Sequence, residues 1–286
     1  MKVLITGSRG FVGAETVRQM RNENDAMPEW DMFPYDLMDG FDIRDRKQLR
    51  RAVEDCDPDR ILHLAAIARF ADADRDPLLA WETNVTGTAN VVKVAAEYHV
   101  PLVFASTGSA IMPLDAYEPP YAESIPPRGN SVYGCSKAIG ELLVRTHTPH
   151  IILRYAHIYG KEKRGHGLIG GFVQRIERGL QPTLYGGAQS NDFTHVSDIA
   201  QANILALAAP WDKWGQTYHI GTGEELTAEA AGRAVCEVLG WTGGIHVEAP
   251  RTVDPGRFVF DISKAKTWLG YSPQYTFEAG LREMLA

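Results

Sequence analysis

Residues 2–13 read Lys2-Val3-Leu4-Ile5-Thr6-Gly7-Ser8-Arg9-Gly10-Phe11-Val12-Gly13. Lys2 to Thr6 is a short apolar run rich in β-branched types and closed by glycine, the pattern of a parallel strand buried on both faces. Helical spacing starts at Phe11 and runs to Arg21. Between strand and helix stands GxxGxxG, a spacing variant of the dinucleotide-binding turn. Its glycines have separate tasks. Gly7 permits the tight turn, Gly10 lets the backbone approach a pyrophosphate, and Gly13 lets the helix pack close to the strand. The anion then rests at the helix N-terminus, where amide N–H groups point at it. A glycine pattern says little alone, but this one follows a strand and opens a helix, the context that gives it meaning. Gly7, Arg9, Gly10, Phe11, Val12 and Gly13 are therefore the candidate cofactor-binding turn.

In units of this kind an acidic residue about 20 positions further on binds the adenosine ribose hydroxyls. Asp36 is the candidate. It ends a second strand at Asp31 to Tyr35, which Pro34 weakens, and Asp31 is its rival. A carboxylate there repels a 2′-phosphate and favours NAD, whereas Arg9 can pair with that phosphate and leaves NADP open. Further strands are expected at Arg60 to Ala66, Pro101 to Ser106 and His150 to Tyr155. Helices are expected at Gln48 to Glu54, Trp81 to Tyr98 and Tyr133 to Thr146. Strands alternating with helices predict a parallel sheet covered on both faces, an α/β chain of the Rossmann-type doubly wound class. After Tyr159 the texture changes. Glycines crowd residues 160–171, and helical patterns follow at Ile169 to Gly179, Asp198 to Ala208, Ala228 to Leu239 and Ser263 to Leu269. This predicts a Rossmann domain over 1–155 and, over 156–286, mainly a smaller C-terminal substrate-binding lobe.

The composition narrows the function classes. The chain has 286 residues, 44% hydrophobic and 23% charged, which is ordinary for a globular protein. A net charge of -7 and no Lys/Arg block argue against a nucleic-acid partner. The cysteines Cys56, Cys135 and Cys236 are odd in number and lack CxxC spacing, so neither a disulfide framework nor a metal site is expected. A reducing compartment fits that usage. The N-terminal apolar stretch is too short for a signal peptide or a membrane span, so a cytoplasmic protein without membrane association is expected.

The chemistry is read from Tyr133-Gly-Cys-Ser-Lys137, two polar groups four residues apart that share one helix face. A tyrosine near its reference pKa of about 10 is a poor base at neutral pH. A nearby ammonium and a cationic nicotinamide favour the phenolate. Tyr133 can then take a proton from a sugar or alcohol hydroxyl as hydride leaves, and return it in reverse. Lys137 can also bond the cofactor ribose. Thr107 lies at the carboxyl end of the PLVFAS strand, where ligands bind in such sheets, and its hydroxyl can orient the substrate. His63, Phe104 and His195 are expected to be structural, and Trp211, Trp214 and Trp241 to fill the later lobe.

The same stretches, with FDIRD (41–45), HLAA (63–66), NVTGTANV (84–91), LRYAHIYG (153–160), NDFTHVSDIA (191–200), YHIGTGE (218–224) and DISKAKTWLGYSP (261–273), resemble the extended short-chain dehydrogenase/reductase family and its nucleotide-sugar epimerases and dehydratases. The resemblance covers nearly the whole chain. It implies that Asp42 and Ile43 sit at the adenine, that Leu64, Ala65 and Ala66 line the cofactor, and that Tyr155 falls near the nicotinamide. It matches Thr107, Tyr133 and Lys137 to the family's catalytic triad. It also implies that residues near 190–208 return to the cofactor domain, that the lobe holds a nucleotide-diphosphate sugar, and that a homodimer forms through a four-helix bundle from the helices of Trp81 to Tyr98 and Tyr133 to Thr146.

Departures bear on the substrate. His157 stands where the family usually carries a substrate-touching Asn, and Asn191 where it carries an Arg that meets the phosphates. Arg257 lies near a second phosphate-binding position. The family's 4,6-dehydratases carry Asp-Glu after the catalytic Thr, where this chain has Gly108 and Ser109. The leading expectation is an NAD-dependent epimerase of a nucleotide sugar, at C4. The alternative is an NAD(P)H-dependent keto-sugar reductase or dehydrogenase using the same residues. A cofactor-sensing protein without catalysis is disfavoured by the intact Tyr–Lys pair.

Overall fold

The first strand, β1 (Lys2–Thr6), is buried from Val3 onward in the computed structural model, which describes residues 1–22, 29–147, 149–161, 167–250 and 256–286. There follow α1 (Phe11–Asn22), β2 (Asp31–Tyr35), α2 (Arg46–Cys56), β3 (Arg60–His63), α3 (Phe70–Arg75) and α4 (Pro77–Trp81). One π-helical stretch, Glu82–Gly87, joins α4 to α5 (Thr88–Glu97); β4 (Leu102–Thr107), α6 (Val132–Arg145) and β5 (His150–Tyr155) complete this half. The second half holds β6 (His157–Tyr159), α7 (Gly167–Glu177), β7 (Thr183–Tyr185), β8 (Ser190–Asn191), β9 (Phe193–His195) and α8 (Val196–Ala208). After these come β10 (Gln216–Ile220), β11 (Leu226–Thr227), α9 (Ala228–Val238), β12 (His246–Glu248), α10 (Ser263–Leu269) and α11 (Phe277–Leu285).

The central sheet has the order β10-β5-β4-β3-β1-β2, with every pair parallel. Successive residues of a strand face opposite ways. Val3 and Ile5 accordingly join Val103, Ile151 and Leu153 under α8, while Leu4 joins Ile61, Phe104 and Ile152 under α2, α5 and α6. β2 lies to one side of β1 and β3 to the other, so the strand order reverses at β1. A crevice opens at such a reversal beyond the carboxyl ends of the strands. Pro34 is tolerated because β2 is the sheet's edge and needs partners on one side alone.

The return to the sheet is wider than residues 190–208. α8 packs on α1, with Gln19 Nε2 donating to the Ser197 carbonyl at 3.0 Å, and β10 becomes the sixth strand. The sequence QTYHI hides that strand because Thr217 and His219 interrupt the apolar pattern. Both are satisfied internally, Thr217 by Arg145 at 2.8 Å and His219 by the Tyr121 carbonyl at 3.0 Å. Trp211 and Trp214 follow α8 and stack on Arg60 of β3, with 4.5 and 5.2 Å from guanidinium to ring, so they belong to the sheet side rather than the lobe. The lobe has its own core of Ile169, Phe172, Val173, Leu184, Ala231 and Val235, between α7 and α9.

Candidate active site

Gly7 adopts φ +72°, and a Cβ there would lie 2.6 Å from the Ala65 backbone nitrogen. A Cβ on Gly13 would meet the Gly7 carbonyl at 2.1 Å. The turn and the end of β3 are thus packed backbone to backbone, and only glycine fits. A Cβ on Gly10 would meet just the Gly7 oxygen, at 3.2 Å, and otherwise open space. That opening is a cradle directly before the N-terminus of α1, and it fits a pyrophosphate. Phe11 packs against Gly160, and Val12 leans into the core under β1. Asp36 lies beside this turn. Its Oδ2 accepts from the Arg9 N–H at 2.9 Å, and its Oδ1 from Met38 at 3.0 Å. Asp31, the rival, pairs with Lys2 at the opposite end of β2. The Arg9 guanidinium meets Asp39 at 2.5 Å. Asp42 grips Arg44 at 2.6 Å, and Ile43 is buried beneath Gly87. Leu64, Ala65 and Ala66 leave β3 beside Gly7, half-buried.

Thr107 is the last residue of β4, opposite Tyr155 at the end of β5. Ser131 starts α6 by accepting the Gly134 N–H at 3.0 Å, the usual work of an N-cap serine. This sets Tyr133 in the first turn, where the Thr107 hydroxyl hydrogen-bonds its phenol. Lys137 follows one turn later, with Nζ 4.3 Å from the Phe104 ring centroid. Both side chains are buried. Burial raises the Tyr133 phenol, and the Thr107 hydrogen bond opposes it. The sequence suggests a downward shift from Lys137; the shift is upward because the phenol is buried, and Thr107 supplies the opposing pull. Lys137 itself is pushed down to about 7 by burial, against the pull of Glu141. Tyr155 donates to Asn203 Oδ1 at 2.5 Å, and burial raises its phenol as well.

Two supporting groups escaped the sequence reading. Glu141, one turn beyond Lys137, is fully buried between Ser106 at 2.7 Å and Arg154 at 2.8 Å through both oxygens. Asn84, in the π-helical turn, accepts from the Ile67 N–H at 2.8 Å and donates to Ser136 at 2.9 Å, tying the stretch after β3 to α6. The signal was present. Glu141 repeats the four-residue spacing of Tyr133 and Lys137, and Asn84 is a polar residue inside a helix pattern.

On the lobe side His157 is exposed, with its ring 5.1 Å edge-on from Phe193. Asn191 and Arg257 come together, because the Ser190 N–H donates to the Gly256 carbonyl at 2.9 Å. The Arg257 guanidinium lies bidentate on Glu225 at 2.8 and 2.6 Å. Gly108 is closed off. A Cβ there would meet Phe258 at 2.6 Å, Phe260 at 2.8 Å and the Tyr155 carbonyl at 2.9 Å. His195 caps α8 and packs 4.2 Å from Tyr275, a structural placement. Among the described residues no group of three His, Cys, Asp or Glu side chains is placed to hold a metal ion. No helix among them is long and apolar enough to cross a membrane.

A doubly wound sheet with a glycine turn at its reversal, and a Tyr–Lys pair beside a strand-end threonine, defines a nicotinamide-dependent enzyme of the extended short-chain dehydrogenase/reductase group. The model of the NAD dependent epimerase/dehydratase family matches residues 3–221, and the chain belongs to that family. It is similar to UDP-glucose 4-epimerase from Thermotoga maritima, solved with UDP-glucose, at 26% identity and a TM-score of 0.90, covering 100% of this chain and 97% of that one. The NAD complex of the Thermus thermophilus UDP-glucose 4-epimerase is 29% identical with a TM-score of 0.84, covering 100% and 98%. An Actinoplanes dTDP-glucose 4,6-dehydratase is 30% identical, over 100% of this chain and 97% of the relative.

Proposed function

We propose that the chain is an NAD-dependent epimerase of a nucleotide-diphosphate sugar, acting at C4. The observation that carries this over dehydration is Gly108. The position after the catalytic threonine holds no carboxylate and has no room for one, so the acid that the family's dehydratases carry there to expel water is missing at this position.

The glycine turn cradles the pyrophosphate, Asp36 takes the adenosine ribose, Asp42 and Ile43 border the adenine, and Leu64 to Ala66 with Tyr155 wall the nicotinamide side. When bound, the nicotinamide supplies a hydride acceptor that gives the hydride back. Thr107 orients the C4 hydroxyl through the phenol it already bonds. Tyr133 takes the hydroxyl proton as the keto sugar forms and returns it after the sugar has turned over in the site. The Lys137 ammonium bonds the cofactor ribose and holds negative charge on the phenol. Glu141 pulls toward the charged form of Lys137, against the effect of burial. His157, Asn191 and Arg257 face the sugar nucleotide. Residues 1–155, with α8 and β10 returning to the same sheet, serve the cofactor, and the rest of 156–286 mainly the substrate. The chain is read as cytoplasmic. It is read as a homodimer through the outer faces of α5 and α6, where Leu142 is 61% exposed. Light scattering should give twice the chain mass of 31.6 kDa, and a mass near one chain refutes the dimer.

Product analysis by NMR tests the activity, with UDP-glucose and dTDP-glucose supplied in D2O. Inversion at C4 without solvent deuterium at that carbon is expected. A 4-keto-6-deoxy sugar, or a keto sugar accumulating with reduced nucleotide, overturns the proposal.

A further inference from the structure

We propose that Asp39 selects NAD over NADP by holding the Arg9 guanidinium, the cation in the glycine turn that would otherwise pair with a 2′-phosphate; this rests on the reading above that the turn binds a nicotinamide dinucleotide.

The geometry begins at Asp36. Its carbonyl accepts from both the Asp39 and Phe41 amides at 3.0 Å, and its carboxylate caps the short helical turn Leu37–Asp39. Gly40 closes the turn in the left-handed region at φ +84°. The Phe41 ring lies 5.1 Å from that of Tyr35 and pins the exit. Asp39 is therefore held in place by a built turn. Across from it, the Arg9 backbone is fixed by its own N–H to Asp36. The two side chains meet at 2.5 Å, with 51% of Arg9 and 35% of Asp39 exposed.

The chemistry follows from counting charge. The adenosine ribose of a dinucleotide lies at the acidic residue ending the second strand. In NAD that ribose presents neutral hydroxyls, which Asp36 can accept from. In NADP it presents a phosphate, which seeks a bidentate guanidinium. Arg9 is a suitable guanidinium, but Asp39 neutralises it. By formal charge, Arg9, Asp36 and Asp39 together carry one net negative charge. Replacing Asp39 by asparagine keeps the side-chain shape and releases Arg9. NADP then meets a free guanidinium, while contacts to NAD are untouched. A charge-assisted hydrogen bond to phosphate supports a shift of about tenfold in relative affinity.

The test is calorimetric titration of nucleotide-stripped protein with NAD⁺ and NADP⁺, for the parent, Asp39→Asn, Arg9→Gln and the double variant. The parent should prefer NAD⁺. Asp39→Asn should improve binding of NADP⁺ relative to NAD⁺ about tenfold, and in the Arg9→Gln background the same change should have little effect. An unchanged ratio in Asp39→Asn, with NAD⁺ still bound, overturns the proposal and leaves the dinucleotide reading intact. A shift that persists without Arg9 also overturns it, because Asp39 would then act on the phosphate by its own charge. A parent that binds neither nucleotide removes the dinucleotide reading and this proposal together.

Discussion

Gly108→Ala drives a methyl group into two phenyl rings and a backbone carbonyl, none of which lies at a flexible chain end. Overpacking of this kind costs about 1–3 kcal/mol, and denaturant melts of the variant should show a loss in that range. Gly108→Asp should lose stability as well and gain no dehydratase activity, because Phe258 and Phe260 occupy the space the carboxylate would need. Tyr133→Phe keeps the ring and its edge contact with Phe70 but removes the only proton the site is proposed to exchange. Turnover should fall by roughly 10²–10⁴, with cofactor still bound. Lys137 gives a pH signature. Its ammonium is buried, and its pKa falls from the ordinary 10.5 to about 7. Below pH 7 the folded protein carries a buried charge at a cost. Between about 7 and 10.5 the unfolded chain binds a proton that the folded one does not, so this penalty fades as pH rises. Lys137→Met should therefore stabilise the stripped protein by on the order of a few kcal/mol at pH 6. The gain should shrink steadily toward pH 10.5, and a gain that is flat with pH contradicts the placement of Lys137.

Between elements, the pair of Glu141 on α6 and Arg154 on β5 fastens the helix that carries the proposed catalytic residues to the strand that ends at Tyr155. Removing one partner of a buried pair strands the other charge, at about 3–5 kcal/mol. Glu141→Gln and Arg154→Met should each lose roughly that much in urea melts. The double variant should recover part of it, which additive losses would contradict. How far such elements can be read from sequence depends on what satisfies them. β1, β2, β5 and α10 have the expected limits, since each is an apolar run or periodic stretch with a glycine, a proline or a cap at its border. β10 was hidden because its polar residues are paid for by Arg145 and by the Tyr121 carbonyl, partners that are distant in sequence. The long helix expected at Trp81 to Tyr98 starts at Pro77 and is broken by a π-helical turn around Asn84. Helical spacing alone does not reveal one extra residue in a turn. At the candidate site, the four-residue spacing of Tyr133 and Lys137 and the strand-end position of Thr107 are legible in the sequence. The occupation of Arg9 by Asp39, and of Arg257 by Glu225, is not, because an ion pair between loops leaves no periodic trace.

Across the whole molecule, the proposed cofactor crevice and the proposed catalytic pair lie beyond the carboxyl ends of one parallel sheet, while the lobe is built around a separate small core. On the proposed function, the nucleotide cofactor stays at the sheet and the sugar comes and goes at the lobe. An enzyme that returns its own hydride has no need to exchange cofactor with solution, whereas a reductase must release it every turnover. The measurement that separates them is to denature the purified protein and identify the nicotinamide nucleotide it sets free. NAD retained through purification, near one per chain and unchanged in amount after many turnovers without added cofactor, is the predicted result. An empty protein that takes up NADPH from solution in preference to NADH would contradict the epimerase and point to a keto-sugar reductase.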